Sequence, residues 1–376
     1  MNRYAIFFPQ YHRITANDLA WGHGFTDWVL VAAANAFGYW QRRAPACGFY
    51  DLSRDDDTQG RFDAAARAGL DGFGIYHYRF DDGPELDAVE RFLAQGGSPR
   101  NFAYFYIWAN ENWTTRWVGS NIRILKELSA RPSREAIIKH VNYLSPFMDS
   151  QAYARVGDRP LFVIYHPDHF TEPEAILTLY REAFRDAGIE PRIGFFVKNA
   201  YEMRHSCYFD FCYLFEPRLF FNFQGVRKNQ SIIKGYRKLT SRISPRLMEA
   251  CSEGVTRLLN RTSAHYTFSD FLRYFTSAAR KTFVRSSECS VQEIVTCGWN
   301  NAPRYRHRST RLDVPTAEEF SSMMSMLSNS QTRKDEIPLL CNAWNEWCEG
   351  AAIEPCSYLG DALLASYLET AKGVYK

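Results

Sequence analysis

Eight short, almost continuously apolar runs recur along this chain of 376 residues, and longer stretches with helical periodicity separate them. The runs cover residues 4–8, 72–76, 103–108, 161–165, 193–197, 211–215, 294–297 and 339–342. A strand with one wet face alternates apolar and polar residues. These runs do not alternate, as expected of parallel strands covered on both faces. Helices are predicted at 63–68, 84–94, 133–148, 172–187, 267–282, 316–327 and 361–374. Ser133 is an N-cap signal and Gly188 a C-cap signal, while Phe268, Phe271, Leu272 and Phe275 form an apolar helical stripe. Strand and helix alternating eight times predict an α/β fold, a (β/α)8 TIM-type barrel, with an open doubly wound sheet as the competing arrangement.

The whole chain, 1–376, is expected to be one barrel domain, a normal size for the fold. Two segments interrupt the rhythm. Residues 10–57 are predicted to be a long aromatic loop after the first strand, and loops of that size are usually functional. Residues 217–290 are a long insertion between strands six and seven. Within it Arg227, Lys228, Lys234, Arg237, Lys238, Arg242 and Arg246 occur with no acidic residue between them. That segment is either a solvated face or a contact for a phosphorylated donor or an anionic lipid surface.

The formal charge of +3 gives no field that would point to nucleic acid. Nine scattered cysteines, an odd number with no two pairs at zinc-site spacing, argue against a disulfide framework and a zinc centre. No HExxH, Walker or GxGxxG pattern is present, so no metal and no cofactor are expected, and any nucleotide recognition is unconventional. The apolar run after Arg3 is too short for a signal peptide, and no run reaches membrane-spanning length. A cytoplasmic location is expected, with peripheral contact at the inner membrane face as the furthest the basic segment suggests.

Barrel active sites lie at the C-terminal ends of the strands, so the residues just past each run are the candidates. In chain order they are Gln10, Tyr11 and His12; His77, Tyr78 and Arg79; Trp108, Asn110, Glu111, Asn112 and Trp113; Tyr165 and His166; Lys198 and Asn199; Glu216; Trp299, Asn300 and Asn301; and Trp344, Asn345, Glu346 and Glu349. Polar groups beside aromatic rings suit sugars, whose hydroxyls need hydrogen bonds and whose C–H faces need flat apolar surface. Trp28 joins this set, because the stretch from Trp21 to Trp28 is expected to close over the mouth and exclude water. His77 and His166 taken singly are more often satisfied core or rim histidines than metal ligands.

The sharpest pattern is Asn342-Ala-Trp-Asn-Glu-Trp-Cys-Glu-Gly350. Glu346 and Glu349 are three apart, so a helical turn puts both carboxylates on one face. Two carboxylates that close split their pKa values, which separates an acid from a base as glycosidic chemistry requires. One of the two is expected to carry a raised pKa and the other to stay ionised.

With Phe7-Phe-Pro-Gln-Tyr-His12, Trp21-Gly-His-Gly-Phe-Thr-Asp-Trp28, Gly72-Phe-Gly-Ile-Tyr-His-Tyr78 and Trp108-Ala-Asn-Glu-Asn-Trp113, this pattern resembles the WbsX-like proteins. These are labelled glycosyltransferases of bacterial O-antigen and capsule clusters, in a wider group similar to glycoside hydrolase family 99, the endo-α-mannosidases. The resemblance implies a (β/α)8 barrel and a carbohydrate substrate, with a nucleotide-sugar or a lipid-linked glycan as possible partner. It also implies Glu346 as a base acting on the sugar 2-hydroxyl, and Glu349 as the acid. Tyr78, Asn110, Glu111, Asn112 and Asn345 would hold the sugar. One departure is Asn300, where the family pattern has Asp. Another is Ala351-Ala352, where bulkier residues are usual. Three function classes stand at this point: a polysaccharide-building transferase, an endo-acting hydrolase, and a barrel that binds carbohydrate without catalysis. Retention of both glutamates speaks against the third.

Overall fold

The computed structural model describes residues 2–36, 43–115, 123–228, 264–306, 309–330 and 337–369. Its centre is a closed ring of eight parallel strands: β1 (Arg3–Phe7), β2 (Gly72–Phe80), β3 (Ala103–Trp108), β4 (Arg159–Ile164), β5 (Arg192–Val197), β6 (Phe211–Leu214), β7 (Ser290–Thr296) and β8 (Leu339–Asn342). Each strand pairs with the next in sequence, and β1 closes the ring by pairing with both β2 and β8, Tyr4 lying opposite Gly72 on one side and Leu340 on the other. All eight predicted strands are present and the open sheet is excluded. The registers differ in detail: β7 begins at Ser290, inside the expected insertion, and β2 runs on to Phe80.

The barrel interior is filled by side chains in layers. Tyr4 meets Phe105 at 6.0 Å between ring centroids, and Tyr213 meets Phe211 at 5.6 Å and Phe196 at 6.0 Å. Where β1, β2 and β3 meet, Gly72 has no room for a side chain, since a Cβ there would stand 2.2 Å from the Ala103 carbonyl oxygen. Helices clad the outside. Ser133 caps the helix Arg134–Met148 by accepting from the Ala136 amide, as predicted, and Pro173–Asp186 follows the expected pattern.

Other helices differ from expectation. Asp55–Ala68 starts eight residues early, because the three aspartates Asp55, Asp56 and Asp57 sit inside its first turn, where they favour the helix dipole. Residues 83–85 form a short strand antiparallel to the end of β2, so the next helix is only Ala88–Ala94. The predicted helix 267–282 is two, Phe268–Phe275 and Ala278–Arg285, since Thr276 and Ser277 end one and cap the other. Residues 10–57 are not one long loop. The alanine-rich run Asp27–Ala36 is helical, as is Thr15–Trp21. The basic segment Arg227–Arg246 lies outside the described residues except for the end of the helix Arg218–Lys228, and of the last predicted helix the part after Glu369 also lies outside. Among the described residues no helix is long and apolar enough to cross a membrane.

Candidate active site

Past β8 the chain turns through Asn345 and Glu346 into a single 3-10 turn, Trp347–Glu349. Residues three apart eclipse in a 3-10 turn, so Glu346 and Glu349 share one side of it. The turn closes through the Glu349 amide on the Glu346 carbonyl (3.2 Å) and the Gly350 amide on the Trp347 carbonyl (3.1 Å). Gly350 ends it with φ of 61°, and a Cβ there would lie 3.0 Å from the Asn300 amide nitrogen, so conformation and space both demand glycine.

Buried polar groups fix this turn. The Asn345 amide clamps the backbone of Phe8, accepting from its N–H at 2.7 Å and donating to its carbonyl at 2.9 Å. The Tyr11 hydroxyl donates to the Asn345 carbonyl (2.7 Å) and accepts from the Trp347 amide (3.1 Å). Trp347 Nε1 donates to Glu354 Oε2 at 3.0 Å, and Arg43 Nη1 donates to the Gly350 carbonyl at 3.0 Å.

The two carboxyls differ in surroundings. Glu346 is 6% exposed, and its Oε2 is buried with no hydrogen-bond partner among the described residues. Burial pushes its carboxyl well above the ordinary glutamate range, and the charge of Glu349 adds to the shift. Burial raises Glu349 as well, but Arg304 and then Arg218 oppose it. Arg304 Nη1 donates to Glu349 Oε1 at 3.0 Å, while Nη2 donates to Asp27 Oδ2 at 2.9 Å. Both carboxyls are thus raised on burial, Glu346 well above the ordinary range, where the sequence resemblance, with Glu349 as the acid, implies the raised pKa on Glu349. The helix Ala302–Tyr305 brings Arg304 into hydrogen-bond contact with Glu349, while on Glu346 the arginine acts only through its charge.

A wall of tyrosines surrounds the pair. Tyr76 and Tyr78, on the inward face of β2, stand 6.2 Å apart between centroids, and Tyr165 meets Tyr76 at 5.9 Å. Burial raises the hydroxyl pKa of all three; Glu346 is among the charges acting on Tyr76 and Tyr78, and Glu349 among those acting on Tyr76 and Tyr165. Gln10 Nε2 donates to the Tyr78 hydroxyl at 3.3 Å. Glu111 lines a small recess with Tyr78, Phe80, Asn112 and Trp113. Arg218 opens to solvent and lies 5.7 Å from the Trp299 ring centroid.

Several predicted sugar contacts are engaged elsewhere. Strand side chains alternate, so His77, between the inward Tyr76 and Tyr78, points out to the helices. Its Nδ1 is 2.7 Å from Glu90 and its Nε2 2.9 Å from His140, fully buried. Trp108 also faces outward, against His140, Phe170 and Tyr180. Trp28 is no lid: its ring is sandwiched between Tyr11 (4.0 Å) and Phe49 (4.6 Å), and Nε1 donates to the Tyr50 carbonyl. Asn110 spends both amide functions on the backbone of His166, at 2.9 and 2.7 Å, as Asn345 does on Phe8. Asn112 accepts from the Leu128 amide. Asn300 accepts from the Ala302 amide at 3.1 Å and packs its backbone on Gly350. His12 is buried, and burial lowers its pKa. Trp113 packs against Tyr78 and Phe80.

The sequence reading missed Arg304, Asp27 and Arg218. Asp27 lay inside a motif already singled out; the two arginines carry no local signal, since only the fold brings them to β8.

Away from the pair, His166, Asp168 and Glu202 offer possible metal-ligand atoms within 4.8 Å of one another. Their carboxylates already have partners: Asp168 meets Arg204 and His205, and Glu202 Oε1 is 3.6 Å from the Lys198 ammonium. Burial, reinforced by Lys198, drives His166 down to about 3, which keeps it neutral. Asp168 also lines an open groove of about 1160 Å³ beside the helix Pro173–Asp186, which none of the pair's neighbours enters.

The two largely buried carboxyls thus stand at the end of the last strand of a (β/α)8 barrel, the face where such barrels carry their active sites. A model of the family "Glycosyltransferase WbsX" matches residues 3–367, and the chain belongs to that family. The protein WxcX of Xanthomonas campestris pv. campestris is 28% identical over 371 residues, covering 96% of this chain and 48% of WxcX. The chain thus spans about half the length of the curated relatives it matches. Among solved structures, the GH99 endo-α-mannosidase of Bacteroides thetaiotaomicron superposes with a TM-score of 0.57 at 12% identity, over 99% of this chain and 98% of that one. A glycoside hydrolase-like protein superposes with a TM-score of 0.59 at 14% identity, over 89% and 90% of the two chains. At such identities the likeness is one of fold.

Proposed function

We propose that the chain is a glycosyltransferase of bacterial cell-surface polysaccharide assembly, of the O-antigen or capsule type, acting at the barrel mouth through Glu346 and Glu349. The observation that carries this reading is the largely buried pair of carboxyls at the barrel mouth, the second of them held by Arg304 at 3.0 Å. Glu349, ionised and half-held by Arg304, takes the proton of an attacking hydroxyl. Glu346, neutral and deeper, donates a hydrogen bond to the bound sugar. Tyr76, Tyr78, Tyr165, Gln10 and Glu111 form the sugar-contacting wall; Asn110, Asn112 and Asn345 act by holding the backbone beneath it. His12, Trp113, His166, Trp299 and Asn300 frame its rim. Work on a lipid-linked glycan at the inner membrane face fits this role.

Endo-acting hydrolysis is the second reading, and the proton on Glu346 favours it, because cleavage of an ordinary glycoside needs an acid. The test is a strain lacking the gene, complemented with the natural chain or with Glu346→Gln or Glu349→Gln. A surface glycan that loses a sugar, restored by the natural chain and not by the variants, supports transfer. An unchanged glycan with cleavage of added oligosaccharide supports hydrolysis. An unchanged glycan and no cleavage would leave a binding protein.

A further inference from the structure

The charges at the mouth are not all paired off. Arg304 is held between Glu349 and Asp27, and Lys198 faces Glu202 and donates to the Tyr165 carbonyl at 2.7 Å. Arg218 differs. It is exposed, and among the described residues it makes no hydrogen bond and has no carboxylate within ion-pair distance. Yet it lies within electrostatic reach of Tyr165, Glu349, Tyr305 and Glu111, which puts it at the mouth and not on the outer surface. Its guanidinium is steadied over the Trp299 ring, at 5.7 Å. The helix Arg218–Lys228 does not use up this charge either, since Arg218 stands at its N-terminal, positive end, which presents donors and not acceptors.

A planar guanidinium presents a fork of donors that matches a phosphoryl or carboxylate group, and a neutral sugar has no need of it. A leaving group that an arginine fork holds as an anion departs without a proton donor. Phosphate does so; a sugar alkoxide does not. We propose that Arg218 binds the phosphoryl leaving group of a glycosyl phosphate donor, a substrate class that rests on the transferase reading above. In the step, the acceptor oxygen bonds to the anomeric carbon and the bond from that carbon to the phosphate oxygen breaks. The electron pair leaves on the phosphate, beside Arg218, and the acceptor proton passes to the Glu349 carboxylate.

The test is calorimetric titration of the full chain with inorganic pyrophosphate, with glucuronate and mannose run alongside. Pyrophosphate is expected to bind, more weakly as salt rises. Arg218→Gln should weaken binding at least tenfold and Arg218→Lys less, with melting temperatures unchanged because the side chain is exposed. Equal pyrophosphate binding by the natural chain and Arg218→Gln, or no binding at all, overturns the proposal. Glucuronate bound through Arg218 in place of pyrophosphate also overturns it, in favour of an acidic sugar. Glu346→Gln should bind pyrophosphate normally. If that variant keeps full turnover while anion binding still depends on Arg218, the carboxylate-pair reading fails and the anion site stands.

Discussion

Arg304 donates to Glu349 at 3.0 Å with one guanidinium nitrogen and to Asp27 at 2.9 Å with the other, so a single side chain ties the helix Asp27–Ala36 to the turn after β8. Both ion pairs are largely buried. Breaking a buried pair strands a charge and costs roughly 3–5 kcal/mol. Arg304→Gln should therefore lower the melting temperature, and adding Asp27→Asn should recover part of the loss by removing one stranded charge. The pH profile separates positioning from mere structure. Without Arg304 the Glu349 carboxyl keeps its proton to higher pH, so the acid limb of activity should move up. A lower melting temperature with an unmoved limb would mean that Arg304 is only structural.

Asn110 and Asn345 make the same bond pattern to different backbone segments. Truncating either to alanine leaves buried backbone groups unpaired, at roughly 1–3 kcal/mol for each group. Stability should fall in both variants, while KM of the folded fraction changes little. A raised KM with unchanged stability would return these residues to the direct sugar contacts that the sequence pattern suggested.

Glu354 supports the same turn, meeting Trp347, Tyr50 and Arg61. Burial outweighs the opposing pull of Arg61 and raises its pKa to about 7. A carboxyl raised on folding keeps its proton in the folded chain after the unfolded chain has lost it. Its contribution is full below the unfolded value of 4.5 and is lost as pH rises through about 7. The shift corresponds to on the order of 3 kcal/mol. Glu354→Gln should flatten the fall in stability across that window, measured by denaturant unfolding at several pH values. An identical pH dependence in the variant would show that Glu354 is not raised.

The strands were legible because a run such as 193–197 has no polar face to hide, and that alone marks it as doubly covered. The pair was legible because two glutamates three apart, the first between Trp344 and Trp347, are rare in a plain surface turn. The partition of side chains between mouth and helix layer was not. Placing His77 and Trp108 needs the strand parity, and β2 runs four residues further than its apolar run suggests before meeting residues 83–85. Trp28 looked like a platform because composition cannot tell a ring open on one face from a ring stacked on both. Arg304 lies 45 residues from Glu349 in the chain, and only barrel closure brings them together.

The division of labour within the pair is open to direct measurement. Glutamine resembles a protonated glutamic acid in shape and can still donate, but it can neither hold a negative charge nor take up a proton. In the proposed assignment Glu349, held by Arg304, is the base, so Glu349→Gln removes it and should lower kcat by about 10²–10⁴-fold. Glu346 is the protonated member, so Glu346→Gln keeps the neutral donor and should cost less, provided its proton is not transferred. The opposite assignment, with Glu346 as base and Glu349 as acid, predicts the opposite ranking. It also predicts that activated leaving groups rescue Glu349→Gln, because they need no protonation. Rates of both variants with plain and activated donors, after each is checked for folding, therefore choose between the assignments. Near-normal rates in both would remove the pair from the chemistry altogether. A larger loss in Glu346→Gln, together with rescue of Glu349→Gln, would show that Arg304 releases Glu349 when substrate binds and that the resting order of protonation is not the working one.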